Sequence, residues 1–290
     1  MKTLLLLECK KAFQNKYFKM TLALALAVAI SAGLYAGISA MNRMKIYWDF
    51  HTLKDGSMDR NPAFSMLTLY NTWIGGEFTT WGHSLFYFLL PMFAVLPYGW
   101  SLAEERKRGY ANQMIVRVGR KKYYASKYLA AFISGATVIV LALTANYLTT
   151  ACVVPALRPD AAEELYYAVP PDQFGAWLFW NQPLLYDVLY IVIASIFAGL
   201  WACIPIALSF FTTKRLPLLC VPFVALIGFQ YFADQMIAPE FYLELSPLRF
   251  LQAHETYFAT RGIIILGWFA ALIGIICIIT WRKGTRNDVL

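Results

Sequence analysis

Glu104-Glu105-Arg106-Lys107-Arg108-Gly109, continuing to Arg117-Val118-Gly119-Arg120-Lys121-Lys122-Tyr123-Tyr124-Ala125-Ser126-Lys127, is a basic stretch set between two long apolar segments. Eight of the chain's 25 lysines and arginines fall within residues 104–127, against two acids. Charge at that density is excluded from bilayer hydrocarbon, and basic loops collect on the cytoplasmic side of membrane proteins. The apolar segments on either side, 82–103 and 128–151, are each long enough to span a membrane, which takes roughly 20 mostly apolar residues. Four more runs meet the same rule: 20–41, 184–211, 216–233 and 262–281.

Composition agrees. The chain of 290 residues is 59% hydrophobic and 14% charged, with a mean hydropathy of +0.52, whereas soluble domains carry about a quarter charged residues. A net charge of +8 in a soluble protein points to nucleic acid; here its distribution gives another reason. With the N-terminus placed inside, 18 basic residues fall on cytoplasmic segments and seven outside, while four acids fall inside and 13 outside. That bias sets orientation, and an even number of spans returns the C-terminus to the cytoplasm. The predicted fold is therefore an all-α integral membrane protein. It has one transmembrane domain over 1–290, six transmembrane helices, both termini cytoplasmic, and affinity for anionic lipid rather than nucleic acid.

Residues 1–19 read as an amphipathic interfacial helix. Leu4, Leu7, Lys11 and Phe18 follow helical spacing, and Lys10, Lys11, Lys16 and Lys19 face lipid headgroups. The apolar run Leu4 to Leu7 ends at Glu8, and 20–41 is too long for the core of a signal peptide, so cleavage is not expected. In the first span Ala25, Ala29, Gly33 and Gly37 place a small residue every four positions. Such a stripe lets another helix approach closely, either within this bundle or at a subunit interface. Pro91 and Pro97 are expected to kink the second span. The outer segments are 42–80, 152–183 (with Asp160, Glu163 and Glu164 and an aromatic run ending at Trp180), and an amphipathic, short outer or re-entrant stretch, 234–261. The five cysteines form no C-x-x-C pair, and no disulfide is predicted.

Enzymatic motifs are absent. There is no H-E-x-x-H, G-x-S-x-G or G-x-x-x-x-G-K-[ST]. Glu104-Glu105 with Arg108 approaches the paired-glutamate signature of membrane-embedded CAAX-type proteases, but that pattern needs its arginine where Gly109 stands. Polar candidates within the spans for ion coupling or a substrate path are few: His83, Asn146 and Asp187, with Trp180 at an outer lip. No catalytic or metal site is predicted.

The 104–127 stretch resembles the first intracellular loop of type-2 ABC exporter permeases. Glu105 stands four residues before Gly109, the amphipathic segment Tyr110–Val116 follows, Arg117–Lys122 makes a basic turn, and Tyr123-Tyr124 and Lys127 open the next span. Gly119 stands near the turn where that family often has proline or serine. The resemblance implies a coupling helix over about 105–122 that docks on a separate ATPase subunit. Its contact residues would be Glu105, Arg108, Gly109, Ile115, Arg117, Arg120, Tyr123 and Lys127, with Ile115 and Val116 buried in a groove and the arginines on acidic rim residues.

The resemblance further implies two ATPase copies holding ATP and Mg, and a second permease, the same or a homologous chain. It places the protein in a bacterial cytoplasmic membrane, with no cofactor in the chain itself. Aromatics at 17% and sparse intramembrane charge favour an amphipathic, peptide-like or lipid-like cargo, with antimicrobial peptide export or self-resistance as the expectation by analogy. Two alternatives stay open: an ABC-type complex that senses or clears membrane-acting peptides, and an intramembrane protease.

Overall fold

The computed structural model describes residues 2–51, 67–77, 80–159 and 167–285. Asp160, Glu163 and Glu164, and much of the outer segment 42–80, lie outside the described residues. Among those described the chain is helical, without strands. It runs α1 (Lys2–Gln14), α2 (Lys16–His51), α3 (Trp81–Val95), α4 (Ser101–Lys107), α5 (Tyr110–Val118), α6 (Arg120–Ala151), α7 (Ala176–Asn181), α8 (Pro183–Leu208), α9 (Arg215–Phe232), α10 (Ala238–Phe241), α11 (Pro247–Phe250) and α12 (Gly262–Ile279). Five helical stretches are long and apolar enough to cross a membrane: Lys16–Ile46, Arg120–Ala151, Pro183–Leu208, Arg215–Met236 and Gly262–Gly284. By helix length and composition this is a multi-pass membrane protein.

The sixth expected span, 82–103, is divided. α3 ends at Val95 after 15 residues, about 22 Å of helix against a hydrocarbon thickness of about 30 Å. Pro97 lacks the N–H that would continue the ladder, so the chain turns through 96–100 and restarts as α4. Elsewhere the main differences lie at the ends. α6 begins at Arg120 rather than 128. α12 passes into a π-helical turn over Thr280–Thr285.

α6 and α8 form the centre of the bundle, with α2 and α3 against them and α9 and α12 outermost. The small-residue stripe of α2 faces α6. Ala25 and Ala29 are fully buried. A Cβ on Gly33 would lie 3.0 Å from Asn146 Nδ2, and one on Gly37 3.0 Å from the Val153 side chain. The close approach anticipated from the stripe is therefore a packing contact within the chain. α1 lays Leu4, Glu8 and Ala12 against the bundle, chiefly α6, one residue per turn, while Leu6 and Leu7 are exposed. Asn15 separates α1 from α2, its Oδ1 accepting the Tyr17 amide.

At the end of the bundle remote from α4, three loops are knitted by backbone hydrogen bonds. Ala253 N–H donates to Gly75 O, Glu255 N–H to Ala168 O, and Phe174 N–H to Thr260 O. Trp73, carried by the 67–77 loop, is fully buried in the same core as Phe86, Tyr186, Tyr190 and Phe250. The short helices α10 and α11 lie in the 234–261 stretch.

Candidate functional site

α4 lies where the ends of α1, α6, α8 and α9 converge. Its neighbour across the bundle, α6, turns the Lys127 side chain inward, where it is 0% exposed. An ammonium so deeply buried is stable only if its charge and its three donors are answered. They are. Lys127 Nζ lies 2.5 Å from Glu8 Oε2 and 2.8 Å from Glu105 Oε1, and donates to the Tyr98 hydroxyl at 3.2 Å.

The carboxylates are equally occupied. Glu8 Oε1 accepts from Lys11 at 3.0 Å and Glu8 Oε2 from the Tyr98 hydroxyl at 2.6 Å. Glu105 accepts from Lys11 at 3.3 Å and, on its other oxygen, from the Tyr123 hydroxyl. Two cations and two anions make the network neutral. Burial pushes the Glu8 carboxyl up, but Lys127, Tyr98 and Lys11 outweigh it and hold the group below its ordinary value. Burial pulls the Lys11 ammonium down, and Glu8 and Glu105 outweigh that, so it sits above its ordinary value.

A second ring ties α4 to the turn between α8 and α9. Arg106 donates to the Ser209 carbonyl and lies 5.5 Å over the Phe210 ring. Arg215 pairs with Glu104 at 2.8 Å, which also binds Arg108, and stands 5.3 Å over Trp100. Successive residues Glu104, Glu105 and Arg106 thus grip three different parts of the bundle.

α5 projects from this hub. It is bounded by Gly109 at φ 75° and Gly119 at φ 83°, a left-handed geometry that glycine adopts without penalty. Both sites have open space around a Cβ, so backbone angle rather than room demands glycine. Ala111 is buried, and Met114, Ile115 and Val118 pack on the cluster holding Tyr123 and Tyr124. Ile115, read from sequence as an outward docking residue, therefore packs inward. Val116 is the apolar group presented, 86% exposed, beside exposed Arg117. Arg108 is exposed, and Arg120 is half-buried at the start of α6.

Of the sequence-predicted residues, Glu105, Tyr123 and Lys127 meet in one network, and Arg108, Gly109, Ile115, Arg117 and Arg120 frame α5. The members missed are Glu8, Lys11 and Tyr98. A lone acid interrupting a short apolar run, four residues from Leu4 and from Ala12, was the available signal for Glu8. The remaining predicted residues lie toward the opposite end. Asn146 Oδ1 accepts the Ile74 amide at 2.8 Å and its Nδ2 donates to Ala29 O at 2.8 Å, so it staples the 67–77 loop and α2 to α6. Trp180 packs edge-on against Tyr167 and Phe179. His83 is buried and approaches Ile74 O through Nδ1 at 2.7 Å.

No protein-family profile, curated protein or solved structure matches the chain.

Proposed function

We propose that this chain is the permease subunit of an ATP-driven ABC exporter of the type-2 class, moving an amphipathic substrate. The observation that carries the reading is α5: a short amphipathic helix between two glycines at positive φ that packs one side on α6, presents Val116 and Arg117 on the other, and is rooted in an ion network that joins α1, α4 and α6. A push on such a helix reaches three elements at once, because each is tied to the hub by charged hydrogen bonds rather than by side chains free to slide.

In this reading six segments cross a bacterial cytoplasmic membrane, the divided α3–α4 segment being the second. Both termini face the cytoplasm, and α1 lies at the inner headgroup layer with Leu6 and Leu7 exposed toward lipid. α5 docks in a groove of a separate ATPase that holds ATP and Mg. Two permeases, this chain twice or with a homologue, work with two ATPase copies. Val116 enters the groove, and Arg117 and Arg120 set register against acidic residues on its rim. ATP-driven closure of the ATPases moves α5, and the hub passes the motion to α1 and α6. The glutamates that approach a protease signature are held in ion pairs, Glu104 with Arg108 and Arg215 and Glu105 with Lys11 and Lys127, which supports transport over proteolysis.

The test is co-expression with the candidate ATPase, scoring co-purification and detergent-solubilised ATP hydrolysis. Arg117→Glu with Arg120→Glu, and separately Val116→Asp, should abolish association and stimulated hydrolysis while leaving the permease monodisperse. Wild-type association in both variants refutes the docking assignment.

A further inference from the structure

At the α4 end of the bundle the start of α2 meets the turn between α8 and α9. Tyr17 is the meeting point. The Lys16 ammonium stands 5.2 Å over its ring, and Arg215 Nη1 donates to its hydroxyl at 3.4 Å. Tyr17 packs edge-on at 4.3 Å against Trp100, whose own ring lies under the Arg215 guanidinium. Lys214 precedes Arg215 as the N-cap of α9 and brings a third cation to the same corner.

The sign of this corner follows from its charges. Glu104 is the carboxylate that answers Arg215, and it is shared with Arg108. Lys16 and Lys214 are exposed and have no ion-pair partner among the described residues. Four bases therefore stand with one acid, and the neighbouring Lys127 network, being neutral, does not offset them. Arg215 is half-exposed, so part of its donor fork is open to an incoming anion. Past the cations the surface turns apolar. Met20 and Leu24 follow Lys16 along α2 at one-turn intervals, and Leu216 and Val224 follow Lys214 along α9; all four are exposed. Cations, then aromatic rings, then exposed aliphatic side chains match the order of a phospholipid from head group to acyl chain.

We propose that this corner binds an anionic phospholipid. The phosphodiester meets Lys16, Lys214 and Arg215, which give charge-assisted hydrogen bonds to its oxygens. The acyl chains lie along the exposed apolar residues of α2 and α9. A zwitterionic lipid brings its own cation to a corner already rich in them. Arg215 also holds Glu104 of α4, so the bound lipid bears on the element from which α5 projects. The site goes beyond the export reading, and binding needs neither nucleotide nor ATPase, so it is measured on the purified full-length chain alone.

Phosphatidylglycerol, phosphatidylcholine and inorganic phosphate are titrated into the delipidated chain in a neutral detergent, with native mass spectrometry and thermal shift as readouts. Phosphatidylglycerol should bind saturably, about tenfold more tightly than phosphatidylcholine, and free phosphate should leave the melting temperature unchanged. Lys16→Gln with Lys214→Gln should weaken phosphatidylglycerol binding about tenfold. Lys121→Gln with Lys122→Gln removes the same charge from exposed positions at the start of α6 and should keep wild-type affinity. Equal affinity for phosphatidylcholine overturns the proposal, as does unchanged affinity in the first pair. Equal loss in both pairs assigns binding to net charge rather than to this corner and overturns it too. A phosphate shift as large as that of phosphatidylglycerol marks a free-anion site and overturns the assignment to lipid. A failed ATPase assay beside intact phosphatidylglycerol binding refutes the docking of α5 and not this site.

Discussion

Around α4, four charged side chains and two phenols close over one another, and every formal charge is matched by its opposite. At the far end of the bundle the buried polar groups are mostly neutral. Asn146, His83 and His254 hold backbone carbonyls and an amide, and Asp187 accepts the Trp73 indole at 3.0 Å. The two strategies fail differently. A charged cluster depends on each member, because removing one strands the others in a low-dielectric site. A neutral hydrogen bond that is lost leaves one unsatisfied group, at roughly 1–3 kcal/mol. The charged end suits a part that must move as one piece; the neutral end suits loops that must stay in register.

The largest expected effect comes from removing Lys127. Lys127→Met strands Glu8 and Glu105 and should cost about 3–5 kcal/mol in detergent unfolding. Adding Glu8→Gln and Glu105→Gln should restore most of it while leaving ATPase stimulation impaired. A single variant as stable as wild type breaks the contrast between the two ends.

Asn146→Leu comes next. It leaves the Ile74 amide without its acceptor, for about 2 kcal/mol. Accelerated hydrogen exchange should appear in 67–77 and not around α5. Exchange that spreads to α4 contradicts two separable ends.

Acidification sharpens the comparison further. His254 is held neutral in the folded chain, so the unfolded state binds a proton first as pH falls below 6.5. Stability present above that value is then lost progressively toward the folded value near 3, by up to about 1.4 kcal/mol per pH unit. Glu8 has the carboxylate sign: its contribution is present above 4.5 and fades as pH falls below. Lys11 has the opposite sign: its contribution is present below 10.5 and fades above. Between pH 6.5 and 5 the melting temperature should fall in wild type and stay flatter in His254→Gln.

Gly109→Ala is expected to cost about 1 kcal/mol through its left-handed backbone angle, with a larger proportional loss of ATPase stimulation. Arg117→Glu should have the smallest effect on stability, within about 0.5 kcal/mol, because the side chain is exposed; ATPase association is where it reads out.

Much of the architecture was legible in the chain. The apolar runs, the basic loop and the flanking glycines all report on solvent and backbone angle, which act on each residue locally. The division of the second span was half-legible: Pro91 and Pro97 mark a kink, but Pro91 sits inside α3 while the break comes at 96–100. The direction Ile115 faces was not, because a helix of nine residues carries apolar groups on two sides and only its neighbours choose between them.

The sequence by itself determined that this chain is helical, apolar enough to cross a membrane several times, and strongly basic over residues 104–127. Hydropathy and charge density set those properties residue by residue. Only the tertiary structure decided that Glu8, Tyr98, Glu105 and Lys127, spread over 119 positions of sequence, close one neutral network, and that His83 and His254 lie 5.3 Å apart. Partners that far apart leave no periodicity to read. Their pairing follows from the need of each buried charge or donor for a counterpart, and only the packing of α1, α4 and α6 supplies it.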